Sequence, residues 1–134
     1  MDIGSFPLAW RWTSKAHTVL PQEVLRGLRP LAPETAKEMF SKVPKRLGAD
    51  ALIFQATDTE ATKEWLQSLP ITASEVTLVW NDTTALTLPW STFVRYWSDF
   101  CYPSSDDAAI IPVASDGLLL WHHEEIFEFK AGAL

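Results

Sequence analysis

With a single cysteine, Cys101, this chain of 134 residues cannot close an intramolecular disulfide, which suits a reducing compartment. Glycine is also scarce. Five glycines leave no Gly-x-Gly-x-x-Gly and no P-loop, so phosphate-cradling loops are not expected. Basic residues are outnumbered, eleven Lys and Arg against seventeen Asp and Glu, for a formal net charge of −6. Binding to nucleic acid by phosphate neutralisation wants the opposite balance. The basic clusters Arg26/Arg29 and Lys42/Lys45/Arg46 read as solvated sides of two short helices. No apolar run approaches the roughly 20 residues that cross a bilayer. The opening Met1-Asp2-Ile3-Gly4-Ser5 carries an acid where a signal peptide carries Lys or Arg. Neither nucleic acid nor membrane is an expected partner, and the cytoplasm is the expected location.

What is abundant is aromatic. Seven Trp and seven Phe stand in a chain that is 47% hydrophobic, and each large ring buries about 150–250 Å². That supply is enough for a core in one domain spanning residues 1–134, with no repeat, linker or low-complexity tract to divide it. Residues 6–12 read as a short strand or an aromatic arm, with Trp10 and Trp12 flanking Arg11. Leu20, Val24, Leu25 and Leu28 share a helical face that Pro30 stops. Ala36, Met39, Phe40 and Val43 mark a second helix, entered at Pro33 and ended by Pro44. Residues 51–56 read as a buried strand, followed by a capping box in which Thr57 and Glu60 open a helix carrying Trp65, Leu66 and Leu69. Alternation in 76–80 and 85–88 around Asn81-Asp82 predicts a hairpin. Pro89 then starts a helix with the stripe Phe93, Val94, Trp97 and Phe100, and Cys101 beside it. Strands are predicted over 108–113, at 118–121 (apolar on both faces, hence central) and around 127–129. The pattern predicts an α+β fold, a mainly antiparallel sheet with helices packed against it. Trp65, Trp80 and Trp97 fit the core; Trp10, Trp12 and Trp90 lie near element ends and are the candidates for exposure.

Two polar segments could carry chemistry. His122-His123-Glu124-Glu125 follows the apolar strand, and in an extended chain His122 would share a face with Glu124, and His123 with Glu125. Tyr102-Pro103-Ser104-Ser105-Asp106-Asp107 concentrates turn formers and carboxylates ahead of the next strand. A metal would need further ligands such as Asp106 and Asp107, and the His-Glu-x-x-His spacing of zinc enzymes is absent, so neither metal nor cofactor is expected. Ser104 or Ser105 with a histidine lacks a Gly-x-Ser-x-Gly elbow. Cys101, at the end of an apolar face, reads as a buried structural thiol. The plainer readings are a solvated hairpin end and a tight helix-to-strand connection.

The stretch from Leu88-Pro89-Trp90 to Phe129, with the 102–107 loop and His123-Glu124-Glu125 inside it, resembles small bacterial single-domain proteins of the immunity type, which bind and neutralise a toxin. Among these it resembles the SUKH superfamily, through its α+β layout and a Leu-Pro followed by an aromatic helix. Here the Leu-Pro helix comes late in the chain, and the resemblance assigns no individual residue. It implies a non-catalytic protein-binding domain that inhibits a bacterial toxin. The acidic charge would steer it to a basic protein partner, with aromatic residues supplying contact energy. The expected contact residues are Asp106, Asp107, His123, Glu124 and Glu125, with Trp121 as a neighbour. Two alternatives stay open. One is a small hydrolase or metal-dependent enzyme using the 102–107 loop and the 122–125 segment; the other is a homodimeric accessory domain. Oligomeric state is open in all three.

Overall fold

The structure is a computed structural model that describes residues 3–132; Met1 and Asp2, read above as unlike a signal peptide, lie outside the described residues. The fold is α+β. Seven strands form one antiparallel sheet: β1 (Arg29–Pro30), β2 (Leu52–Gln55), β3 (Glu75–Asn81), β4 (Thr84–Pro89), β5 (Ala108–Pro112), β6 (Leu118–His122) and β7 (Ile126–Lys130). Their spatial order is β1-β4-β3-β5-β6-β7-β2. The helices are α1 (Trp10–Thr13), α2 (Gln22–Arg26), α3 (Pro33–Ser41), α4 (Thr59–Ser68), α5 (Trp90–Arg95) and α6 (Trp97–Phe100). Among the described residues no helix is long and apolar enough to cross a membrane.

Alternation along each strand divides the apolar residues between two sheet faces. The first face carries Val76, Leu78 and Trp80 of β3, Leu86 and Leu88 of β4, Ile110 of β5, Leu119 and Trp121 of β6, and Phe127 and Phe129 of β7. Against it pack α5, α6 and the N-terminal segment, through Phe6, Trp12, Phe93, Trp97 and Phe100. Rings meet ring to ring: Trp121–Phe127 at 4.9 Å, Trp97–Trp121 at 5.8 Å and Trp12–Phe100 at 5.2 Å between centroids. Each buried indole N–H finds a carbonyl: Trp12 donates to Asp99, Trp80 to Phe100, Trp97 to Thr59 and Trp121 to Tyr102. The second face is lined by smaller residues, Val79, Ala85, Ala109, Leu118 and Leu120, and α3 lays Ala36 on it.

Several sequence expectations change here. Residues 6–12 are not a strand: turns lead into α1, whose short helix buries Arg11 and Trp12. Trp12 is fully buried, because α1 turns it onto Phe100 and Trp80; Trp10 is the exposed member of that pair. The cap of α4 is Asp58, whose carboxylate accepts from the Ala61 amide; Thr57 lies outside it. The helix predicted from Pro89 is broken at Tyr96 into α5 and α6. Residues 51–56 are not a buried strand. β2 is the last strand of the sheet and pairs only with β7, so its other edge is open.

Candidate functional site

Asp106 and Asp107 are chain neighbours entering β5, so alternation sends their side chains to opposite sides of the sheet. Asp106 turns to the first face and is 6% exposed. It accepts two hydrogen bonds from the Arg11 guanidinium, at 2.6 and 2.8 Å, and one from the Tyr102 amide at 3.0 Å. The guanidinium also lies 4.0 Å from the Tyr102 ring centroid. This bidentate pair ties the N-terminal helix to the 102–107 loop, so Asp106 is a scaffold residue and not an exposed contact. Trp121, 1% exposed in the aromatic lattice, is likewise interior.

Asp107 turns to the second face and is exposed. Its Oδ1 accepts from the backbone amide and from the ring Nδ1 of His123, both at 3.0 Å. Burial pushes the Asp107 carboxyl up, but the two His123 hydrogen bonds and the charges of His123 and His122 hold it below its usual value. In return the Asp107 hydrogen bond, then its charge, raises His123 above its ordinary value.

His122–Glu124 and His123–Glu125 do not converge as an extended chain would require, because 123–125 is the turn of the β6–β7 hairpin. Glu125 closes that turn at φ 65°, in the left-handed region usual for the last residue of a three-residue hairpin loop. Its carbonyl accepts from the Ala56 amide at 2.8 Å. His122, still in β6, points along the second face and donates from Nε2 to Glu128 of β7 at 2.5 Å. Glu128 is 1% exposed and also accepts from Arg46 Nε at 3.0 Å. Burial raises the Glu128 carboxyl, yet the His122 hydrogen bond and charge, with Arg46, bring it below its usual value.

These groups sit around one concavity. α3 covers the β3–β4 part of the second face, and the segment after it reaches β6 and β7 through Leu47, buried with Leu118 and Leu120, and Arg46, bonded to Glu128. The space left is a cleft of about 710 Å³. Phe40, Val43 and Pro44 form one wall, Val79, Ala109 and Leu120 the floor, and Ser105, Asp107, His122, His123, Glu124, Lys45 and Arg46 contribute the polar rim. Of the expected contact residues, Asp107, His123 and Glu124 are brought together here, with Trp121, itself buried, bordering the cleft as their neighbour; Glu125 sits in the adjoining turn, and Asp106 belongs to the interior. Phe40, Arg46, His122 and Glu128 complete the site. Nothing in the alternation of Phe127-Glu128-Phe129 distinguishes a solvated Glu128 from one roofed by a loop eighty residues earlier.

The cleft offers apolar area, two imidazoles and carboxylates on its rim. Among the described residues no three His, Cys, Asp or Glu side chains are grouped so as to hold a metal ion. Cys101 is buried, and burial raises its thiol well above the usual value, which makes it a poor nucleophile. Comparison with known proteins returns no matching family model, no similar curated protein and no similar solved structure.

Proposed function

We propose that this chain is a non-catalytic protein-binding domain, an immunity-type inhibitor of a bacterial toxin, and that the cleft of the second sheet face seats a basic segment of its partner. The observation that carries the reading is the composition of the cleft. An apolar wall and floor, with Phe40 left 43% exposed, stand beside a mixed rim, in which the carboxylates Asp107 and Glu124 accompany Lys45 and an Arg46 already engaged by Glu128. A lysine or arginine of the partner can lay its methylene stem on Phe40 and Val43 and bring its charge to Glu124. The net charge of −6 adds long-range attraction for a basic protein.

The test is capture of a stoichiometric partner by tagged protein, followed by titration of that purified partner against wild type, Phe40→Asp, Glu124→Lys and, away from the cleft, Val113→Lys. Loss of affinity by tenfold or more in the two cleft variants, with Val113→Lys unchanged, supports the reading. Equal affinity of all four, or the absence of any partner, sinks it. Asp106→Lys is unsuited to such a test, since it breaks the buried pair with Arg11.

A second reading, a small hydrolase, is favoured by one observation. His122 is oriented by a buried carboxylate and lines the same cleft as Ser105, the base-and-orienter part of a general-base arrangement. It requires turnover of ester or phosphoester probes that His122→Gln abolishes while leaving the fold intact. A wild-type protein inert toward both probe classes removes it.

A further inference from the structure

We infer that the open edge of β2 is a self-association surface, at which two copies of this chain pair antiparallel about a twofold axis and join their sheets. Edge strands present unpaired N–H and C=O groups, and proteins blunt them with charge, proline, bulges or a covering element. The two edges of this sheet differ in that respect. β1 is two residues long and contains Pro30. β2 has four residues without proline, glycine or charge, and leaves Leu52 and Ile53 53% and 57% exposed. The uncharged run extends from Ala51 to Thr57 in a chain of net charge −6, so this edge is where two acidic copies can approach without opposing like charges.

The backbone sets the register. In an antiparallel pair the residues alternate between bonding to one neighbour and to the other. Ala56 donates inward to Glu125, so Leu52 and Phe54 also bond inward to β7, and Ile53 and Gln55 present their amides and carbonyls outward. Directly opposed residues share a sheet face, which limits the symmetric registers. Placing Ile53 against Ile53 of the second copy sets Leu52 against Phe54 on the first face, an apolar match on both sides. The neighbouring register, with Phe54 on the axis, would set Asp50 opposite Asp58 and is disfavoured by like charge. The surface is separate from the cleft, and the inference does not depend on the proposed partner. The small contact predicts a reversible dimer well below the standard interface of about 800 Å² per partner.

Sedimentation velocity from low micromolar to near-millimolar protein tests it, together with amide hydrogen exchange. The expected result is a rise toward twice the monomer mass with concentration, and slowed exchange at Ile53 and Gln55 that appears only in the dimer. Ile53→Lys puts like charges face to face on the axis at an exposed position, and should abolish both effects with an unchanged melting temperature. Val113→Lys, at an exposed apolar site off this edge, should leave both intact. A monomer at every concentration overturns the inference, as does a dimer indifferent to Ile53→Lys.

Discussion

One face of the sheet is sealed by interlocking rings, while the other is closed over only half its width, by a short helix and the segment that follows it. On the first face, Trp97, Trp121 and Phe127 touch one another, and the Arg11–Asp106 ion pair is bidentate and shut away from solvent. On the second, alanines at positions 36, 85 and 109 bring α3 close over β3 and β4, and the space beyond it is lined by groups that keep contact with water. Large side chains fill volume and leave no opening. Small ones permit close approach locally and leave a step where the helix stops. The cleft is that step, and there His122 and the exposed Arg46 close over the buried carboxylate of Glu128.

The comparison predicts that charge pairs on the two faces respond to mutation very differently. Arg11→Met strands the Asp106 carboxylate in the interior, where breaking one partner of a buried pair costs about 3–5 kcal/mol. Denaturant unfolding should show that loss, and Arg11→Met/Asp106→Leu should recover much of it, since removing both charges removes the stranded one. A single mutant within 1 kcal/mol of wild type (about a fivefold change in the folding equilibrium) would show that the first face is not sealed.

Glu128→Gln on the second face should cost less, about 1–3 kcal/mol, because Arg46 and His122 are left with access to water. The pH dependence separates it from a packing defect. The folded Glu128 carboxyl lies below its usual value, so its contribution is present above the ordinary carboxylate range and fades as the pH falls through the depressed folded value. Stability curves of wild type and Glu128→Gln should therefore converge in acid. Parallel curves would mean that the charge of Glu128 contributes nothing.

The smallest effect belongs to the exposed pair. Asp107→Asn should move the His123 titration, followed by NMR, downward toward its ordinary value of 6.5. Because the folded histidine is raised, the pair's contribution is present below that ordinary value and is lost as the pH rises through the folded one. The melting temperature should change little, as exposed pairs generally contribute little. An unmoved His123 would show that the two side chains do not hold each other in solution.

Much of the architecture was legible in the residues because it rests on short-range regularities. Period-two alternation in 76–80 and 85–88, the short run 118–121 that is apolar on both faces, and period-four spacing at Ala36, Met39, Phe40 and Val43 identify elements through which side they bury. The errors fall where a distant segment decides. Residues 51–56 look like an interior strand because they are apolar, yet what lies beyond the second neighbour of a strand is a matter of sheet order. Residues 6–12 look extended because Trp10 and Trp12 alternate; packing Trp12 against Phe100 requires α1 instead.

The candidate site divides in the same way. The local concentration of His122, His123, Glu124 and Asp107 could be read from the chain, since turn formers and carboxylates cluster where strands end. By itself the sequence determined an acidic, aromatic-rich α+β chain and the hairpin end where its polar groups gather. Only the tertiary structure decided that Asp106 belongs to Arg11, that Asp107 belongs to His123, and that Glu128 is roofed by Arg46. Strand alternation assigns a residue to a face, but whether that face is sealed, half covered or open depends on a helix and a loop far away in the chain.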